Sequence, residues 1–513
     1  MKILRDIFGR PRNKRNSEDY QPDFESLTEL RQIPSITEGV FNTDLKISKS
    51  YAKTIHRLLT SQTAFRNKDL YHSLRYIHLK QQDLRKFLEF KDEIRDSLFC
   101  VASMNSDGYV REKAVKFLVQ SPTQDTFPFI LFRLADWVPV IRHTAEKGIR
   151  NIIQKQEPMH LIRHHKIVDW LLKVQRTNLQ HVYQEILEFI FSDANVQQIV
   201  NNLKIYSEGK RYFIFRNLVA RNKIDDQIYE KILTDKNYLI RLLAVRNIDL
   251  IERPEILKRL LSDKSQKVRH YAILMIPESQ LYQFRNELDS LLFDDSASIR
   301  SISRSLLSKI GDLNYSNRYR QQIDVNPKPG SIIGLSEVGD KTDLNILIVC
   351  LKSDLPKIRA AGLYAISNLD YNRAKEHAFI LLNDLSNTVK KACVNIIPRE
   401  KSSNDLVTLR SIYDQGTNEA KRFTLKIISS YGGWSIAGDF LKGVEEADEK
   451  IQQIAFALLS KWYNYTIRLG TEQKENDRNY VLGVYENLNF DELELPKNIR
   501  KIIENIPFIF GRK

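Results

Sequence analysis

A β-branched residue followed by arginine or lysine returns through this chain about every 30 positions. The pairs are Val110-Arg111, Ile141-Arg142, Ile240-Arg241, Val268-Arg269, Ile299-Arg300, Ile358-Arg359 and Val389-Lys390. Five residues before each Val or Ile stands a turn-type residue: Asn105, Asp136, Asp235, Asp263, Asp294, Ser353 and Asp384. Three after the basic residue comes a small one: Ala114, Ala145, Ala244, Ala272, Ser303, Gly362 and Cys393. Such a period marks a solenoid, because one helix pair cannot bury its apolar face alone and must stack on its neighbours. The expected fold is all-α: an α-solenoid, a superhelical stack of about a dozen antiparallel helix pairs.

The register has two long gaps. Gln180 and Arg211 are provisional members in the first, and Pro327-Lys328 fills the second. Beyond Lys390 the period continues to Lys421 and Gln452, with Thr424 and Ala455 at the small position. Within one unit the spacing predicts a first helix over Pro254 to Leu261, a polar turn from Ser262 to Gln266, and a second helix from Lys267 to about Ile276. The Asp ahead of the second helix suits its start, where a short side-chain oxygen accepts from unpaired N–H groups. The domains expected are a basic tail and linker (1–47), a helical capping region (48–98), the repeats (99–470) and a C-terminal cap (471–513).

The stretch Ser331-Ile-Ile-Gly-Leu-Ser-Glu-Val-Gly-Asp340, with Leu344 to Leu351 and Ile358-Arg359-Ala-Ala-Gly-Leu, resembles the HEAT-repeat family, and within it the phycobilisome-lyase HEAT-like type. Leu306-Leu-Ser-Lys-Ile-Gly-Asp312 is similar, and Gly311 and Gly339 are expected to end helices in the left-handed region. The resemblance covers roughly three-quarters of the chain and speaks for architecture, not activity. It also implies that the second helices line a concave side.

On those helices, positions one and five after the repeated basic residue share a face. They carry Lys116, His143, Lys147, Arg246, His270, Lys391, Arg422 and Lys426, with Glu112 as the one acid. These eight cations are the expected partner-binding residues. The ladder residues Asp136, Arg142, Asp235, Arg241, Asp263, Arg269, Asp294, Arg300 and Arg359 are expected to pair within or between repeats and fix the stacking.

Lysine and arginine outnumber aspartate and glutamate by 79 to 64, a net charge of +15, which favours acidic partners. A protein partner is expected first and nucleic acid second. Residues 1–16 hold six basic side chains and an Ile3/Leu4/Ile7/Phe8 patch that suits peripheral membrane contact. The chain lacks an apolar run long enough to span a bilayer and a signal-peptide core. Cys100, Cys350 and Cys393 sit in helical patterns without CxxC spacing, as reduced buried thiols of a cytoplasmic protein.

No P-loop, dinucleotide fingerprint, HExxH or GxSxG pattern occurs, so no cofactor and no catalytic residue is expected. His160 and His164 lie four apart beside His165 and Asp169, but two histidines do not close a metal site. Asp136-Trp137 and Asp169-Trp170 raise a third reading, a HEAT-like DNA glycosylase using an Asp and tryptophans. The expectation is therefore a non-enzymatic scaffold. It would bind a macromolecule along a basic concave face, by avidity over many shallow contacts rather than in one pocket.

Overall fold

The structure, a computed structural model, describes residues 24, 27–61, 65–74, 76–120, 122–153, 157–245, 253–311, 314–469, 472–489 and 493–511. Among these, all regular structure is helical. The chain forms two compact units, Met1–Asn247 and Ile248–Lys513.

The second unit shows the stacking rule most simply. Each short first helix packs on a second: Pro254–Leu261 on Gln266–Leu274, Arg285–Leu291 on Ala297–Ser308, Tyr315–Val325 on Pro329–Val338, and Leu344–Cys350 on Pro356–Leu369. Tyr371–Leu381 with Asn387–Ile396, Ser403–Gln415 with Asn418–Tyr431, and Ile436–Glu445 with Glu449–Leu469 continue the series. Every second helix also touches the next second helix, which makes the stack an α-solenoid. In the first unit the same pattern runs through Asp92–Ala102, Gly108–Leu118, Phe127–Arg133 and Pro139–Ile153. Leu45–Thr60 packs on Asp92–Ala102 ahead of them.

The repeated Val or Ile is the third residue of its helix and the basic residue the fourth, as in Gly108–Leu118, Gln266–Leu274, Ala297–Ser308 and Pro356–Leu369. Val110, Ile141, Ile240, Val268, Ile299 and Val389 are fully buried. The small residue, one turn further on, sits where the paired helix comes closest. A Cβ on Gly362 would stand 3.1 Å from Cys350 Cβ and 3.2 Å from the Leu347 carbonyl. Ser303 uses its hydroxyl there, donating to the Leu288 carbonyl at 2.5 Å.

Three expectations are corrected. Gly339 has extended backbone (φ −88°, ψ −170°), and Gly311 is not among the positive-φ glycines. Gly339 is required instead by a close approach, since a Cβ would lie 2.8 Å from the Leu335 carbonyl as well as 2.3 Å from Asp343 Oδ2. The repeat Asp is not the N-cap of the second helix: Asp294 accepts from Ser296 N–H at 2.9 Å, and Ser296 is the cap. Lys328 and Gln180 do not hold the ladder position. Lys328 is the N-cap of Pro329–Val338 and Gln180 the first residue of Gln180–Ile190, so Ile332 and Tyr183 stand fourth. A period that varies by three residues fixes a helix only to within a turn, and turn length decides the rest.

At the C-terminus, Phe510 is buried against Trp434 and Trp462, with centroids 5.6 and 6.2 Å away. The neighbouring Phe508 is exposed. The tail 1–16 lies outside the described residues.

Candidate functional site

The repeated arginines turn into the stack. Arg111 directs Nε and Nη2 to Asp136 of the following turn, at 2.8 and 2.9 Å. Its Nη1 donates to the carbonyls of Asn105 and Ser106 in its own turn, at 3.1 and 2.9 Å. Arg269 makes the same fork to Asp294 (2.6 and 2.9 Å) and reaches the Asp263 carbonyl (2.7 Å). Arg359 does so to Asp384 (2.7 and 2.8 Å) and the Ser353 carbonyl (2.7 Å). Arg211 repeats the fork on Asp235, at 2.7 and 3.1 Å. A planar guanidinium can tie two successive turns at once because its five donors fan out in fixed directions. Arg142 and Arg241 use Nη1 in the same way, on the carbonyls of Asp136 and Asp235, each at 2.8 Å. Lys390, a point charge on the same position, reaches the carbonyl of Asp384.

The Arg300 repeat departs from this register. The turn before Pro329–Val338 reads Asn326-Pro327-Lys328 and brings no carboxylate forward. The fork of Arg300 goes instead to Glu337, which also holds Arg304 at 2.8 Å. Further along, first-helix cations take the stacking carboxylates: Arg320 with Asp343, Lys375 with Asp405 and Arg410 with Asp439.

The eight expected partner-binding cations fall into distinct states. Lys116 pairs with Glu112 at 2.6 Å and Arg422 with Glu419, each on its own helix. His270 is half-buried, with Nδ1 3.3 Å from Ser298 Oγ. His143, Lys147, Lys391 and Lys426 are exposed, and among the described residues none of the four enters an ion pair. Lys426 lies over the Phe423 ring at 5.2 Å. Arg246 lies outside the described residues. The four exposed cations are divided between the units, His143 and Lys147 in the first, Lys391 and Lys426 in the second.

Asp136 has no free role in chemistry. Besides Arg111 it accepts from Arg133 Nη1 at 2.7 Å and from the Val138 N–H at 3.0 Å. Burial pushes its carboxyl upward, yet the Arg111 hydrogen bonds and the Arg133 charge outweigh that and hold it below the usual carboxylate range. Burial pushes the Arg133 guanidinium down to about 10, against the attraction of Asp136. Of the histidines, burial takes His164 down to about 3, a neutral ring packed between Phe65 and Phe127 with centroids 6.2 Å away. Among the described residues no three ligating side chains converge.

Sequence reasoning missed a cleft around this turn. It is about 1230 Å³ in volume, and Lys68, Tyr71, Tyr76, Trp137, Lys173 and Arg176 are among its walls. Trp137 sits in the turn after Asp136 with 76% of its surface exposed. Arg176, from the next turn, lies over the indole at 3.3 Å and donates to the Ala135 carbonyl at 2.9 Å. Behind them Trp170 stacks on Phe132, with centroids 5.3 Å apart. A tryptophan in a polar turn was the available signal; which turns stand beside it could not be read from spacing.

No protein-family model matches the chain, and no curated protein matches it. Among solved structures it is similar to Kap95p in a complex with RanGDP, at 10% identity and a TM-score of 0.34, over 94% of this chain and 66% of that one. Importin beta gives 11% identity and 0.36, over 94% and 72%. Kap121p bound to Pho4p gives 10% and 0.37, over 94% and 65%. The chain thus spans about two thirds of the length of the first of these. Similarity at this level says nothing about what the chain binds.

Proposed function

We propose that this chain is a non-enzymatic scaffold that holds an acidic protein partner along the second helices of its repeats. The observation that supports it most is the division of labour among the cations. The fourth-position arginines are committed inward to carbonyls and carboxylates, while His143, Lys147, Lys391 and Lys426 stay exposed and outside ion pairs among the described residues. Holding charges in water without partners serves stacking in no way, and it suits surfaces, one on each unit, that are completed by a second molecule. Each exposed charge pair contributes little, about 0–1 kcal/mol, so the grip comes from several contacts made together. The net charge of +15 speeds encounter with an acidic surface. The glycosylase reading loses support because both Asp136 oxygens are already engaged by guanidinium groups.

The test is cross-linked capture with the wild-type protein beside a Lys147→Glu/Lys391→Glu/Lys426→Glu variant of unchanged helical content. The expected result is a defined set of acidic proteins recovered by the wild type and lost both from the variant and at raised salt. Recovery of the same set by the variant overturns the reading.

A further inference from the structure

The cleft beside Asp136 calls for a different ligand from the second-helix surface. Five cations line it, Lys68, Arg111, Arg133, Lys173 and Arg176, against one carboxylate, Asp136. That carboxylate is already paired with Arg111 and Arg133, so the remaining positive charge faces the opening. Lys68 and Lys173 are exposed there, and among the described residues neither enters an ion pair. On the same walls Tyr71, Tyr76 and Trp137 are 49%, 58% and 76% exposed. Arg176 covers one face of the indole and is itself fixed by the Ala135 carbonyl, which keeps Trp137 presented to solvent rather than folded onto the helices.

Exposed aromatic side chains interleaved with lysines, Trp137 foremost, match a ligand that alternates planar rings with negative charge. We infer that this cleft binds a short stretch of single-stranded nucleic acid. Its bases lie against Trp137 and the two tyrosines, and its phosphates against Lys68, Lys173 and Arg176. Every base has a π-face, so stacking of this kind tolerates any sequence. In a duplex those faces are covered by neighbouring base pairs. An acidic peptide supplies charge, but only its occasional aromatic residues could stack on Trp137, whereas every nucleotide brings a ring and a phosphate together.

The size of the cleft favours a strand over a lone nucleotide. It exceeds the roughly 300–1,000 Å³ usual for small-molecule pockets. Lys173 also borders a second cavity of about 900 Å³, but there Asp169 and Glu188 stand among Arg216, Arg221 and Lys223, and Arg216 pairs with Asp169 and Lys223 with Asp193, so the unpaired positive charge belongs to the first cleft. None of Lys116, His143 and Lys147 lines either cavity, so the site stands apart from the scaffold surface proposed above.

Fluorescence anisotropy with a labelled oligouridylate of about 12 nucleotides, within the usual footprint of single-strand binders, tests this. Binding should weaken with salt and quench tryptophan emission. Trp137→Ala should lower affinity roughly fivefold or more and remove the quench, Trp137→Phe should restore most of the affinity, and Lys68→Glu/Lys173→Glu should abolish binding. Trp137 is a surface residue, so its variants should keep the helical content of the wild type, which circular dichroism checks. Equal affinity for a duplex of the same length overturns the inference. So does equal competition by an abasic oligomer, by polyglutamate or by uridine monophosphate, and so does a Trp137→Ala variant that binds like the wild type. The Lys147→Glu/Lys391→Glu/Lys426→Glu variant leaves every lining residue in place, so loss of protein capture and loss of strand binding are read separately.

Discussion

The Arg–Asp fork sets what each ladder residue can do as the solution is acidified. In Asp384, burial pushes the carboxyl upward, and the hydrogen bonds from Arg359 and the Ser386 N–H then hold it below the ordinary value. Asp136 and Asp235 are held low in the same balance by Arg111 and Arg211. In Asp405 the lowering comes from Lys375 and Tyr431. A folded pKa lower than the unfolded one means that the contribution to stability is complete above the unfolded value, about 3.9, and is lost as pH falls through the folded value. The thermal unfolding midpoint should therefore be flattest above about pH 6.5, decline below it as the unfolded state protonates His164, and fall most steeply below about pH 4 as the ladder carboxylates take up protons. Asp384→Asn should lower the neutral-pH midpoint and reduce the acid slope, because that carboxyl no longer takes up a proton. Circular dichroism melts of both proteins across pH check this; parallel slopes would count against the ladder as the source.

At the scale of the helix, close approach dictates residues that the period leaves open. Gly330 opens Pro329–Val338, and a Cβ there would stand 2.1 Å from the Phe293 carbonyl and 2.4 Å from that of Asp294. Backbone cannot yield as a side-chain tip can, so Gly330→Ala should destabilise by about 1–3 kcal/mol or more. Gly483, inside Glu475–Glu486, has nothing within 4 Å of the equivalent position. Gly483→Ala should stabilise its helix by roughly 0.5–1 kcal/mol. Denaturant titration of the two variants reads both signs. The contrast also marks how far sequence carries. Third-position Val or Ile and the small residue a turn later are legible because burial and helix contact recur with the period. Glu337 replacing an Asp for Arg300, or Arg320, Lys375 and Arg410 acting from first helices, is not legible, since those pairs depend on how neighbouring turns lie in space. The cleft was hidden for the same reason: Lys68, Trp137 and Arg176 come from three successive parts of the chain that only folding brings together.

For the molecule as a whole, a stack in which each second helix packs on its own first helix and on the next second helix implies that damage stays local. Asp136 joins Arg111 and Arg133 in the unit Met1–Asn247, and Asp384 joins Arg359 in Ile248–Lys513. Removing the carboxylate from the buried Asp136 cluster leaves guanidinium charge without its partner, a loss of about 3–5 kcal/mol, and the half-buried Asp384–Arg359 pair loses less. Asp136→Ala leaves two such groups, so it should be the more severe. In a solenoid that loss is not shared by every repeat, because stability is nearly a sum of repeat and nearest-neighbour contributions. Hydrogen exchange followed by mass spectrometry should show protection lost in Gly108–Leu118, Phe127–Arg133 and Pro139–Ile153 for Asp136→Ala. For Asp384→Ala the loss should centre on Pro356–Leu369, Tyr371–Leu381 and Asn387–Ile396. Distant helices of the same chain should keep wild-type exchange. If either substitution accelerates exchange evenly through both units, the repeats unfold as one cooperative block, and the nearest-neighbour account of this fold is wrong. Local loss would also mean that a partner spread over several repeats stabilises each of them separately, in proportion to the contacts it makes there.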